Sequence, residues 1–106
     1  MQNFSASQLQ QYLNDKEEAP LLLDVREPWE FERCHIEGSV LVPMNQLAAR
    51  LPELDPQRET VVICHHGIRS RHVGMQLEHA GFSHIINLAG GVDAWARDVD
   101  PEMAVY

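Results

Sequence analysis

Lysine is almost missing from this chain. Lys16 is the only one in 106 residues, and Lys and Arg together number 8 against 16 Asp and Glu, a formal net charge of −8. Such a balance excludes a surface built for nucleic acid or an anionic membrane. Cysteine is equally sparse: Cys34 and Cys64 are too few for a disulfide framework. Long apolar runs are absent, and none approaches membrane-spanning length. The start, Met1-Gln2-Asn3-Phe4-Ser5, has no basic region followed by an apolar stretch, so no signal peptide is visible and a cytoplasmic location is expected. No internal repeat and no low-complexity segment interrupts the chain. What is present is ordinary globular composition, 44% apolar and 23% charged. The length suits one domain with one hydrophobic core. The expectation is a single domain over 1–106, with its core at about 5–97 and a short tail at 98–106.

Patterning along the chain alternates strands with helices. Ser5-x-x-Gln8 has the form of a capping box, with Leu9, Tyr12 and Leu13 on one face, so a helix is expected near 6–14. Leu21 to Val25 reads as a buried strand, and Glu27-Pro28 opens a helical turn because proline fits a first helical position. Ser39 to Val42 is a second strand, and Asn45 is the expected cap of a helix carrying Leu47, Ala48 and Leu51. Pro52 to Glu59 is polar and bounded by proline, hence a surface loop. Thr60 to Ile63 is a strand rich in β-branched residues, followed by a helix at about Arg69 to Ala80 that stops at a left-handed Gly81. His84 to Leu88 is the last strand, and Gly90-Gly91 leads into a short helix containing Trp95. Short connections between alternating elements imply an α/β fold with a mainly parallel sheet. Trp29 and Trp95 are expected as core anchors.

In an open α/β sheet, ligands bind beyond the carboxyl ends of the strands. Cys64 falls at such an end, in Cys64-His65-His66-Gly67-Ile68-Arg69-Ser70, and so does Asp24-Val25-Arg26. A thiol at a helix start beside cations is favoured as the nucleophilic thiolate. The stretch from His65 to His72 holds two arginines and three histidines with no acid. Gly67 permits a tight loop in which several N–H groups could converge on the sulfur. Arg69 could clamp an oxyanion through two bonds or tie the loop to a neighbouring carboxylate. The pattern points to a cysteine nucleophile acting on a small anion. The competing reading is a buried structural cysteine.

Cys64-x-x-Gly67-x-Arg69-Ser70 resembles the active-site loop of the rhodanese-like sulfurtransferases. Three further stretches match in order: Leu22-Leu23-Asp24-Val25-Arg26, His35-Ile36-Glu37-Gly38-Ser39 and Gly90-Gly91-Val92-Asp93-Ala94-Trp95. Cys34 stands where a glycine often precedes the histidine, and Ser39 replaces an alanine. The resemblance runs from about Ser5 to Trp95. It implies a three-layer fold with helices on both faces of the sheet. It also implies a sulfurtransferase that moves a sulfane sulfur from thiosulfate or a similar donor to cyanide or a thiol, through a persulfide on Cys64. His65, His66, Gly67, Ile68, Arg69 and Ser70 are the implied donor-binding residues. No cofactor is implied, and the partners are a small anionic donor, its acceptor and a possible sulfur-relay protein.

Asp24, Arg26 and His35 read as structural support, since charged groups at strand ends usually form satisfied networks. The adjacent His65-His66 pair does not match the usual spacing of zinc ligands, so no metal site is expected. Two rival functions remain. A related cysteine-dependent phosphatase or arsenate reductase would carry five residues between cysteine and arginine, whereas four separate Cys64 from Arg69. A non-catalytic binding module would typically lack the cysteine. Physiological donor, acceptor and oligomeric state are not encoded in these motifs, nor is the role of Cys34.

Overall fold

A computed structural model describes residues 1–106. Five strands form one sheet: β1 (Gln2–Phe4), β2 (Leu21–Asp24), β3 (Val40–Leu41), β4 (Thr60–Ile63) and β5 (Ile85–Leu88). Their order is β1-β5-β4-β2-β3, and every pairing is parallel. The helices are α1 (Ala6–Asp15), α2 (Pro28–Arg33), α3 (Leu47–Arg50), α4 (Ile68–His79) and α5 (Gly91–Asp98).

Side chains alternate across a strand, and this splits the interior into two layers. Leu22, Val61, Ile63, Ile86 and Leu88 pack against Ala6 and Leu9 of α1 and Val92, Ala94 and Trp95 of α5. Leu23, Val25, Val62, Cys64 and Ile85 face the other way, onto Leu47 of α3 and Val73 and Leu77 of α4. A sheet covered on both faces explains why β2, β4 and β5 read as near-continuous apolar runs.

Local signals fix several boundaries. Gln8 N–H donates to Ser5 Oγ at 3.1 Å and Ser5 N–H to Gln8 Oε1 at 2.8 Å, so the expected capping box opens α1. Gly81 takes φ +100, and Phe82 N–H reaches back to Leu77 O at 3.0 Å, which closes α4 as expected.

Four expectations need correction. The sequence pattern marks no strand before Ser5, yet β1 pairs with β5 through Gln2–Ile86, Asn3–Asn87 and Phe4–Leu88. Asn45 is not a helix cap: a 3₁₀ turn over Met44–Gln46 starts from Pro43 and leads into α3. The expected strand at 39–42 shortens to Val40–Leu41, although Val42 N–H still donates to Asp24 O at 2.8 Å. Trp95 is a core residue at 8% exposure, whereas Trp29 is 61% exposed and anchors nothing in the interior.

No helix is long and apolar enough to cross a membrane.

Candidate active site

The carboxyl ends of β2 and β4 bring the sequence-predicted residues to one rim of the sheet. Cys64 follows β4 directly and is 1% exposed, and its thiol is free. The loop after it turns back at Gly67, whose φ of +96 is left-handed. A side chain there would also collide with the Ala89 carbonyl, so glycine is required twice over. This turn aims the Gly67 N–H at Cys64 Sγ, 3.0 Å away. One loop amide therefore reaches the sulfur, where several were expected.

Behind the sulfur lies a buried polar relay. Cys64 Sγ is 3.3 Å from Ser70 Oγ, which donates to Asn87 Oδ1; Asn87 Nδ2 in turn donates to Asn3 Oδ1 at 3.0 Å. Ser70 is fully buried and Asn87 is 2% exposed. A hydroxyl in this position can turn its single proton either to the amide or to an ionised sulfur. Asn87 and Asn3 are site residues that the sequence reading passed over. The one visible signal is an asparagine inside the apolar strand Ile85-Ile86-Asn87-Leu88.

Arg69 adopts the second of its two expected arrangements. Its Nη1 and Nη2 donate to Glu30 Oε1 and Oε2 at 2.6 and 2.8 Å, a bidentate pair that ties the first turn of α4 to α2. Hydrogen bonds from Arg69, together with those from the Glu27 backbone and Tyr106, outweigh burial and hold the Glu30 carboxyl down to about 2. The Arg69 guanidinium is raised in turn, chiefly by its bonds to Glu30.

Asp24 and Arg26 form the floor of the same network, both fully buried. Arg26 Nη2 meets Asp24 Oδ2 at 2.7 Å and Cys34 O at 2.6 Å, and its Nη1 donates to Tyr106 Oη at 2.8 Å. Burial works against the Arg26 charge, but the bonds to Asp24 and Tyr106 prevail and raise it above its ordinary value. His35 stands apart. Its Nδ1 donates to Phe31 O at 2.7 Å and its ring stacks on Phe31 at 3.9 Å, so a carbonyl fixes its tautomer.

Tyr106 joins the site from the far end of the chain, unmarked by any motif. The segment after α5 returns to the rim, and its phenol donates to Glu30 Oε2 at 2.8 Å while accepting from Arg26. The ring stacks on His65 at 3.8 Å and meets Trp29 edge-on at 5.7 Å. Burial and the Glu30 contact push its hydroxyl up to about 12, against the pull of Arg26. It thus joins Asp24–Arg26 to Glu30–Arg69 as one chain of alternating charges. Nothing near position 106 in the sequence signals this role, because all its partners lie far away along the chain.

His65 is half-buried between Tyr106 and His66, with burial and then His66 lowering its pKa. His66 and Ile68 are exposed, Ile68 at 69%. Both line a hollow of about 760 Å³ beside the loop, with Arg71, His72 and Met75 on its far wall. The site thus offers one buried sulfur with an amide donor, a hydroxyl relay behind it, and a rim of paired charges.

Comparison with known proteins gives the chain its family context. The family model of the rhodanese-like domain matches residues 5–98. A sulfurtransferase of Allochromatium vinosum is 35% identical over 96 residues, covering 91% of this chain and 89% of that protein. The adenylyltransferase and sulfurtransferase MOCS3-1 of Zea mays is 36% identical over 101 residues, which is 89% of this chain and 22% of that protein. The chain therefore spans about a fifth of the length of the longer curated relatives it matches. The crystal structure of a rhodanese-related protein from Thermoplasma volcanium has a TM-score of 0.83 at 28% identity, over 93% of this chain and 94% of that one.

Proposed function

The chain belongs to the rhodanese-like domain family, whose members related to it include sulfurtransferases, and from that premise we propose that it transfers a sulfane sulfur through a persulfide on Cys64. The observation that carries this reading is the Gly67 N–H directed at a buried free thiol from 3.0 Å. An amide held there by the backbone stabilises negative charge on sulfur without reorganising, which is the effective form of electrostatic assistance.

The first half-reaction is attack by the Cys64 thiolate on the outer sulfur of thiosulfate or a similar donor. A sulfur–sulfur bond forms to Cys64, and the donor's own sulfur–sulfur bond breaks with its electron pair leaving on sulfite. In the second half-reaction a nucleophile, cyanide or a thiolate, takes the outer sulfur and the pair returns to Cys64. Splitting one transfer into two displacements is covalent catalysis. Gly67 N–H supports the charge on sulfur, and Ser70 turns its proton from Asn87 to the thiolate. His65, His66 and Ile68 line the entrance to the sulfur. Arg69, committed to Glu30 through both terminal nitrogens, fixes the first turn of α4 that carries Ser70 rather than clamping the donor. Asp24, Arg26 and His35 keep the rim in place. The pairing of adenylyltransferase with sulfurtransferase in the name of the maize relative supports a protein partner in sulfur relay beside the small acceptors.

Intact-mass measurement after incubation with thiosulfate tests the reading. Cys64 is expected to gain one sulfur atom and lose it on adding cyanide. Turnover of an aryl phosphate without any sulfur loading would overturn sulfur transfer in favour of phosphatase chemistry.

A further inference from the structure

The loop after Cys64 and the first turn of α5 bring together a second donor cluster. One ligand-type atom from each of His65, His66 and Asp93 lies within 4.8 Å of the others. Of the six histidines, only His35 commits a ring nitrogen to a protein hydrogen bond. The nitrogens of His65 and His66 are therefore available, and both rings are held by stacking instead. Asp93 has only a long contact to Arg97, 3.5 Å between Oδ2 and Nη1.

The main chain pins two of these residues to one another. Asp93 N–H donates to His65 O at 3.1 Å, and Val92 N–H to Cys64 O at 2.9 Å. Gly91, at φ +62, makes this approach possible, because a side chain there would run into the His65 and Cys64 carbonyls. His66 lies on the exposed outer side of the stack.

We propose that His65, His66 and Asp93 form a binding site for a borderline divalent transition cation, with Zn²⁺ as its probe. Two imidazoles and one carboxylate are a donor set suited to such ions, with water completing a tetrahedron. Calcium and magnesium, which take oxygen ligands, are disfavoured by the two nitrogens. Ligand atoms around tetrahedral zinc stand about 3.3 Å apart, so binding draws the three atoms closer by roughly 1.5 Å, a movement within reach of side-chain rotation at His66 and Asp93. The sequence spacing argues against a metal because adjacent histidines do not match the usual gap between ligands; in the fold the two rings stack at 3.9 Å and α5 brings Asp93 beside them. The ion would tie the loop to α5 by side chains as the backbone already does.

The test is kept free of sulfur chemistry by using the Cys64→Ser chain, in which the thiol cannot serve as ligand. Calorimetric titration with ZnCl₂ near neutral pH is expected to give saturable binding of one ion per chain. Adding His66→Ala or Asp93→Asn is expected to weaken affinity at least tenfold each, with circular dichroism of the metal-free proteins unchanged. At one fixed zinc concentration the melting temperature of Cys64→Ser is likewise expected to rise more than that of either double variant. No saturable binding, or equal affinity in all three proteins, would overturn the site while leaving the persulfide reading untouched.

Discussion

The two ends of the sheet are both rich in charge, yet they are built on opposite principles. At the amino ends of β2, β4 and β5, Asp15, Lys16, Glu17, Glu18, Arg58, Glu59 and His84 line an open hollow of about 560 Å³. Its one ion pair, Lys16 with Glu59, spans 3.7 Å with both side chains partly in water. At the carboxyl ends, Asp24, Arg26, Glu30, Ser70 and Asn87 are all buried, and every buried side-chain nitrogen and oxygen has a partner. Burying charge is expensive unless each group is paired and hydrogen-bonded. A protein maintains such a network where position matters, and the thiol sits at that end. Both ends carry a hollow, and the satisfied buried network is what distinguishes the end with the thiol.

Substitutions at the two ends separate their energetics. Cys64→Ser has the largest expected effect: sulfur loading falls to background by mass spectrometry, and loading that survived would remove the proposed nucleophile. Asp24→Ala comes next. It leaves Arg26 buried without its carboxylate, and breaking such a pair costs about 3–5 kcal/mol, a large share of the ~5–15 kcal/mol typical of a domain. Urea unfolding of both proteins measures the difference, and a midpoint unchanged from the parent would show that the buried end is no more demanding than the exposed one.

Glu30 makes the contrast pH-dependent. Its folded carboxyl is held at about 2, below the ordinary 4.5. The stabilisation is therefore complete above 4.5 and drains away as pH falls toward 2, because the unfolded chain binds the proton first. Urea midpoints between pH 6 and pH 3 should decline more steeply for the parent than for Glu30→Gln, and parallel declines would contradict the assignment. Ser70→Ala removes one hydrogen bond behind the sulfur. An approximately tenfold slower loading of Cys64 is expected, equivalent to ~1.4 kcal/mol, read by stopped-flow kinetics with thiosulfate. At the other end, Lys16→Ala should change stability by no more than about 0.5 kcal/mol, since exposed pairs contribute little. A loss comparable to that of Asp24→Ala would erase the distinction between the two ends.

What could be read from the sequence follows the same division between local and distant causes. The capping box at Ser5 and Gln8, the stop at Gly81 and the strands β2, β4 and β5 are visible because their signals lie within a few residues. So is the loop from Cys64 to Ser70, whose glycine and spacing are contiguous. β1 was missed because Gln2 and Asn3 are polar and exposed, and only pairing with β5 makes them a strand. β3 is brief because its Val40 is exposed at the sheet edge, so the apolar pattern overstated its length. Arg69 had two possible partners on paper, and the choice was decided by Glu30, thirty-nine residues away. Tyr106 and Asp93 enter the site only through the return of distant segments. Periodicity reveals elements, but not which ends of the chain meet.

Gly67 and Gly91 have a mechanical consequence. Each lies with its missing side chain against the other's segment, Gly67 on the Ala89 carbonyl and Gly91 on those of Cys64 and His65. Two chain segments in such reciprocal contact, joined also by the Val92 and Asp93 N–H bonds to the Cys64 and His65 carbonyls, are expected to move together. Relaxation-dispersion measurements should return a single exchange rate for both segments, and a saturation library should find positions 67 and 91 nearly as intolerant as the nucleophile itself.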